Sequence, residues 1–281
     1  MPPAHPLDRA DAVAAPRQVG LLPTLCLDGT WQMAIDEQLL EMVLADPKAR
    51  PVLRLYRWSR PTLSVGHHQH HLPQHWLTLA SAGAVDLVRR PSGGRAVLHG
   101  GDLSYALIWP AAPSQRRKAY GKACGWLCHA FAQFGMPLRF GRRAPSREQP
   151  NCFAVSTSAD LVHRDGSKRI GSAQLWRRGA LLQHGSIMLA PPVDLWRQLF
   201  DEPPPCLPKL PFGAEALEQR LILSAARALP HHRGGGELVR THLAPADRQE
   251  IRSRLRDYSC LEQLIATPAD RTSDIQRACE T

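Results

Sequence analysis

Arg89-Arg90-Pro91-Ser92-Gly93-Gly94-Arg95-Ala96-Val97-Leu98-His99 joins two runs of strand-like sequence. Before it, Ala84, Val85, Leu87 and Val88 form an apolar run that ends in two arginines. After it, Ala96-Val97-Leu98 opens a second run, and apolar alternation resumes at Leu103, Tyr105 and Leu107. Pro91, Ser92, Gly93 and Gly94 supply a turn in which the backbone reverses and approaches a ligand with no Cβ in the way. The pattern predicts a hairpin-like platform with cationic side chains and bare amides at one edge, an edge that suits a carbonyl or a phosphate. Alone, a diglycine between strands is only a turn.

Downstream, Trp109-Pro110 ends the strand and a helix follows over about Arg117 to Phe134, with Ala123, Leu127, Ala130, Phe131 and Phe134 on its apolar face. Cys124 and Cys128 stand four apart on that helix and read as buried packing residues. A polar, basic loop from Gly141 to Pro150 leads to Asn151-Cys152-Phe153. Then come a strand over Ala159–His163, a tight Asp165-Gly166 turn and a strand over Lys168–Gln174. Gly179 turns the chain into another strand over Ala180–Leu189.

Upstream, Asp28 or Thr30 caps a helix running through about Ala45, with Met33, Leu40 and Leu44 on one face. Adjacent Asp36 and Glu37 on that helix read as solvated or capping acids. Val52–Trp58 alternates like a half-buried strand. Five histidines between His67 and His75 raise metal binding, but they lack the fixed spacing and the acid of a catalytic zinc site, and a solvent-facing loop is the expectation.

The elements predict an α+β fold, a mixed, mainly antiparallel sheet packed with helices. Proline-rich connectors (Pro203–Pro205, Pro208, Pro211) lead to helical stretches near Ala214–Ala228 and Pro245–Tyr258, a small C-terminal helical region. The expected division is a flexible tail over 1–20, a catalytic unit over 21–200 and a helical extension over 201–281.

At 281 residues and 43% hydrophobic, the chain is long enough to bury one large core. It has no run of eighteen apolar residues, so no membrane span is expected. The Pro/Ala-rich start, Met1 to Pro16, lacks the basic and apolar regions of a signal peptide. Seven cysteines, an odd number with no CxxC pair, argue against a disulfide framework or zinc ribbon and for a reducing cytoplasm. The net charge of +10 asks for an acidic partner. The arginines are dispersed and carry no nucleic-acid-binding signature, so nucleic acid is not the expected partner. With no zipper or long apolar edge, a monomer is expected.

Arg89–His99, then Asp102-Leu103-Ser104-Tyr105, Asn151-Cys152-Phe153, Asp165–Gln174 and Leu182–Ser186, together resemble the lipoate/biotin ligase and octanoyltransferase superfamily. Within it the chain resembles the LipM-type octanoyltransferases, over roughly Leu21 to Tyr258. Biotin ligases carry a different Gly/Arg-rich loop. Lipoate-protein ligases usually read Gly-Gly-Gly-Ala where this chain has Gly93-Gly94-Arg95-Ala96, and they lack a cysteine before the lysine motif. LipM-type enzymes have Cys-Phe there, matching Cys152-Phe153. Arg169 departs from the pattern, since a small or apolar residue usually follows the lysine. The His67–His71 tract and the Pro203–Pro211 connector are further departures.

The resemblance implies a two-step acyl transfer without metal or nucleotide cofactor. Cys152 would take an octanoyl group from acyl carrier protein, and the lysine of a lipoyl domain, such as that of glycine cleavage H protein, would then take it from the cysteine. Lys168 would hold the thioester carbonyl and favour the thiolate. Arg90, Gly93, Gly94, Arg95 and His99 would line the acyl tunnel and its mouth, with the small residues Gly171, Ser172 and Ala173 letting the ligand pass. His99 and His184 are candidate general bases, and His184 is expected to hydrogen-bond inside the sheet. Two other readings stand beside this one. An ATP-dependent lipoate-protein ligase would not need Cys152, and a non-catalytic carrier-binding subunit would form no covalent intermediate.

Overall fold

The first helix begins where the sequence places its cap. Asp28 Oδ1 accepts a hydrogen bond from the Trp31 backbone N–H at 3.1 Å and another from the Thr30 hydroxyl at 2.8 Å. Such a cap stabilises a helix by about 1 kcal/mol, and α1 runs over Gly29–Ala45. The computed structural model containing it describes residues 18–141, 160–229 and 237–261. Strand β1 (Gln18–Leu27) precedes the helix and has no counterpart in the sequence reading. Gly20 and Pro23 break its alternation, and its register slips between Leu22 and Leu25.

The chain continues through β2 (Val52–Trp58), β3 (Thr62–Val65), α2 (Gln74–Ser81), β4 (Asp86–Arg89), β5 (Val97–His99), β6 (Asp102–Trp109) and α3 (Arg116–Gln133). Next come β7 (Arg139–Phe140), β8 (Leu161–Val162), β9 (Lys168–Arg177), β10 (Ala180–Met188) and α4 (Val193–Phe200). The described chain closes with α5 (Ala214–Ala228), β11 (Glu237–Arg240), α6 (Pro245–Ser253) and a 3-10 turn over Leu255–Tyr258. Eight strands form one sheet in the order β11-β1-β2-β6-β10-β9-β8-β7. β1 pairs in parallel with β11 and β2, and the remaining pairs are antiparallel. The α+β architecture with a mixed, mainly antiparallel sheet therefore holds.

The hairpin expected around the diglycine does not form. β4 and β5 lie on either side of β3 in a separate three-stranded sheet, parallel and antiparallel to it respectively. The Pro91–Ala96 segment thus crosses over β3 instead of folding back on its own strand. Local alternation cannot reveal an earlier strand inserted between two later ones.

Strand alternation divides the large sheet into two faces. Leu53, Leu55, Leu103, Tyr105, Leu107, Leu181 and Ile187 pack against α3 and α5. Tyr56, Trp58, Ala106, Ile108 and Leu182 face α1, α6 and the 3-10 turn. The small sheet builds a third cluster with Trp76 of α2 and Trp196 and Leu199 of α4. The second face departs from a simple apolar core. One rung across it reads Tyr56, Ser104, Ser186, Gly171, and the next reads Arg54, Ala106, His184, Ala173. Strands covered on both faces usually read as near-continuous apolar runs. Buried Arg54, Ser104, His184 and Ser186 in adjacent rungs mark where the site lies.

The segment after Phe200 is not purely helical. α5 packs on α3, and β11 adds an edge strand to the large sheet beside β1. The helical patterns at Ala214–Ala228 and from Pro245 appear where expected. No helix of the described residues is long and apolar enough to cross a membrane.

Candidate active site

A cleft opens on the α1-facing side of the large sheet. It encloses about 460 Å³ of empty space, part of it open to solvent. Met33, Tyr56, Trp58 and Val97 give it apolar and aromatic walls, and Gly171, Ser172, Ala173 and Gly185 line it from β9 and β10. Arg90, Gly94 and His99 come from the diglycine segment and β5. Seven of the residues expected to bind substrate are therefore brought together: Arg90, Gly94, His99, Gly171, Ser172, Ala173 and His184.

Gly93 and Arg95 do not line the cleft as described, and the geometry of Arg90 accounts for this. Its guanidinium donates to the carbonyl of Gly93 at 3.0 and 3.2 Å, to that of Arg95 at 2.6 Å and to that of Ser64 at 2.8 Å. One buried cation thus gathers three carbonyls and holds the turn against β3. Gly94 sits at φ +102°, and a Cβ there would meet Arg90 Nη2 at 2.8 Å. Gly93 and Arg95 shape the mouth through their backbone.

His184 does not hydrogen-bond within the sheet. Its Nδ1 lies 2.8 Å from Asp36 Oδ2 on α1, and its Nε2 lies 2.5 Å from the Ser92 hydroxyl. Asp36 also accepts from Arg54 Nη1 at 3.1 Å. The solvated or capping role expected for Asp36 and Glu37 is corrected here, because both are buried. Glu37 pairs with Arg177 and accepts from the Tyr258 hydroxyl. These acids had to be buried, since α1 lies over sheet positions that carry Arg54 and His184.

A second chain of the same kind lies beside the first. Ser64 Oγ is 2.8 Å from His99 Nε2, and His99 Nδ1 is 2.9 Å from Asp102 Oδ2. Trp58 stacks on the His99 ring with centroids 3.9 Å apart, and its indole N–H donates to Ser104 Oγ at 3.0 Å. Burial alone would raise the Asp102 pKa. The adjacent His99 and hydrogen bonds from His99, Ser186 and the Gly100 N–H outweigh it and hold the carboxyl below its ordinary range.

Lys168 is buried, with Nζ 2.9 Å from Asp160 Oδ1, and it does not join the cleft lining among the described residues. Next to it, Arg169 is buried, donating to His163 Nε2 at 2.9 Å, to the Met188 carbonyl at 2.7 Å and to the Pro208 carbonyl. Two departures from the family pattern, Arg169 and the proline-rich connector, are therefore one structural feature. Cys152 lies outside the described residues, as do Arg142, Arg143 and Arg147. Cys124 is buried and accepts from Gln183 Nε2 at 3.0 Å, and burial pushes its thiol up to about 12. The histidines of the His67–His75 tract are exposed on the loop after β3 and on α2, as expected. Among the described residues no group of three or more His, Cys, Asp or Glu is placed to hold a metal ion.

The sequence reading missed Asp36, Arg54, Tyr56, Trp58, Ser64 and Ser92 as parts of the site. The legible signal was Arg54, a charge at an inward position of an otherwise apolar strand.

The family model of the lipoyl protein ligase A/B catalytic domain matches residues 28–206, which include the diglycine segment and the strands that build the cleft. The chain belongs to this family. It is 33% identical over 211 residues to Octanoyltransferase LipM of Brevibacillus brevis, covering 71% of this chain and 72% of that one. It is 35% identical over 203 residues to Octanoyltransferase LipM of Macrococcus caseolyticus, covering 68% and 69% of the two chains. Among solved structures, lipoate-protein ligase A bound with ATP has a TM-score of 0.69 at 17% identity, over 85% of this chain and 94% of that one. The structural likeness shows the fold. The sequence relatives place the chain, an acyltransferase, on the octanoyltransferase branch of the lipoyl protein ligase A/B family.

Proposed function

We propose that this member of the lipoyl protein ligase A/B family moves an octanoyl group from acyl carrier protein to the lysine of a lipoyl domain through a thioester on Cys152. In the first step the Cys152 thiolate attacks the carrier thioester, a new C–S bond forms and the carrier thiolate leaves. In the second the lysine nitrogen attacks the Cys152 thioester and the cysteine leaves. Lys168 holds the thioester carbonyl in both steps, and Asp160, which pairs with it, follows Cys152 by eight positions in the sequence.

The observation that carries this reading is the lining of the cleft, mostly apolar with a few polar groups. Met33, Tyr56, Trp58 and Val97 offer apolar contact to an alkyl chain, while His99, His184 and Ser186 lie within reach of its carbonyl end. Burying the seven alkyl carbons of an octanoyl group at about 0.8 kcal/mol each supplies roughly 6 kcal/mol. The net charge of +10 suits acidic carrier and lipoyl domains and speeds their encounter. The absence of a CxxC pair and the odd cysteine count fit a reducing cytoplasm.

The test is transfer from octanoyl-acyl carrier protein to a lipoyl domain, with and without ATP. Octanoylation of the domain lysine without ATP supports the proposal. A requirement for ATP and free octanoate would favour an adenylate-forming ligase, and no transfer under either condition would favour a non-catalytic carrier-binding subunit.

A further inference from the structure

The second step has a proton to place. The acceptor nitrogen attacks as an amine and ends as an amide, so it loses one proton as the C–N bond forms. Two imidazoles line the cleft, and their partners distinguish them. His184 is held between Asp36 and Ser92, and Ser92 is not part of the cleft lining among the described residues. His99 is held between Asp102 and Ser64, and Ser64 itself lines the cleft.

We infer that Ser64, His99 and Asp102 form the relay that removes this proton, an assignment that rests on the two-step transfer above. Ser64 Oγ takes the proton from the attacking nitrogen and passes its own to His99 Nε2. The imidazolium then lies against the Asp102 carboxylate. The C–N bond forms, the C–S bond to Cys152 breaks, and the electron pair leaves with Sγ as the thiolate that begins the next cycle. His99 returns its proton to solvent.

The geometry fits this use in four ways. The spacings of 2.8 and 2.9 Å are those of a nucleophile or hydroxyl, a base and the group that orients the base. Asp102 is fixed by the hydroxyls of Ser104 at 2.9 Å and Ser186 at 2.7 Å and by the Gly100 N–H at 3.1 Å, so it stays ionised and aimed. Trp58 stacks on the imidazole and sets its plane. Arg90 Nη1, 3.3 Å from Ser64 Oγ, stabilises negative charge as the hydroxyl gives up its proton. The charged and titratable groups facing this relay are Asp102 from β6, Arg90 from just after β4 and Tyr56 from β2, with the Asp36–Arg54–His184 cluster in the next rung. Ser64 and His99 are the catalytic residues in this scheme, and Asp102 is a positioning residue.

The test isolates the second step. Wild-type enzyme and the variants Ser64→Ala, His99→Gln and Asp102→Asn are loaded with octanoyl-acyl carrier protein, freed of donor, and chased with either a lipoyl domain or hydroxylamine. Hydroxylamine is weakly basic, so its adduct sheds a proton to water and does not need the relay. Loading of the adduct shows that each variant is folded, and Ser64→Ala leaves the His99–Asp102 pair in place. Discharge to the lysine should fall by about 10²-fold in His99→Gln, the low end of base catalysis, while discharge to hydroxylamine keeps pace with wild type. Asp102→Asn should likewise slow discharge to the lysine while discharge to hydroxylamine is kept. Equal loss with both nucleophiles would overturn the inference in favour of a role in cleft shape, and so would unchanged lysine discharge. Failure of wild type to form any adduct would overturn the two-step transfer itself, and the relay with it.

Discussion

His184 on β10 and Asp36 on α1 meet at 2.8 Å across 148 positions of sequence. On its other oxygen the same carboxylate receives Arg54 from β2 at 3.1 Å. One acid on the covering helix thus ties two strands that are not neighbours in the sheet, and it holds His184 in the cleft wall. The position of α1 over the cleft depends on charge pairing as well as on Met33, Ile35 and Leu40.

Asp36→Ala should cost about 3–5 kcal/mol of stability, because it leaves Arg54 buried without its carboxylate. A solvated helix acid would cost within about 0.5 kcal/mol. Urea unfolding of the two proteins distinguishes these magnitudes, and a loss below about 1 kcal/mol would contradict the buried network.

Gly66 faces the turn of Arg90 directly. A Cβ at Gly66 would lie 2.0 Å from the Gly94 carbonyl oxygen, so the diglycine segment must move to admit it. Overpacking of this kind costs about 1–3 kcal/mol. Gly66→Ala should therefore lower the unfolding midpoint and reduce octanoyl transfer, whereas a similar loss of stability with full transfer would separate the turn from the site.

How far the sequence discloses this site depends on range. The Asp28 cap, α1, β2, β6 and the two hairpin turns at Gly166 and Gly179 follow from local chemistry and were legible. The family resemblance pointed to Gly94 and His99, and small-residue spacing to Gly171–Ala173; the fold brings them to one cleft. The insertion of β3 between β4 and β5 was not legible, since register between strands so distant in sequence is set by tertiary packing. Nor were the partners of Asp36: a helix acid carries no local sign of which strand lies beneath it. The partner of Lys168 was not legible either, since periodicity does not disclose its ion pair with Asp160, eight positions away.

Mild acid should weaken the fold through His163. Burial, with the Arg169 cation beside it, lowers its pKa, and Nε2 accepts a hydrogen bond from Arg169. The folded state therefore favours the neutral ring, while the unfolded chain binds a proton near pH ~6.5. Stability is complete above that value and falls as pH drops from it through the lowered folded pKa. Unfolding midpoints at neutral and mildly acidic pH should show this slope, and His163→Gln should flatten it. An unchanged slope in that variant would remove His163 as the cause.

Cys124 should resist alkylation in the native protein, since its thiol is buried and pushed up to about 12. The exposed Cys26 and Cys206 should label readily. Peptide mapping after iodoacetamide treatment, before and after unfolding, checks this pattern. Native labelling of Cys124 would show that α3 opens from the sheet.

The most direct measurement is the intact mass of the protein after mixing with octanoyl-acyl carrier protein in the absence of ATP and acceptor, followed by peptide mapping. A single octanoyl adduct on Cys152, missing from Cys152→Ser and lost when a lipoyl domain is added, is the predicted result. Full transfer activity in Cys152→Ser with no adduct on the wild type would contradict the acyl-enzyme.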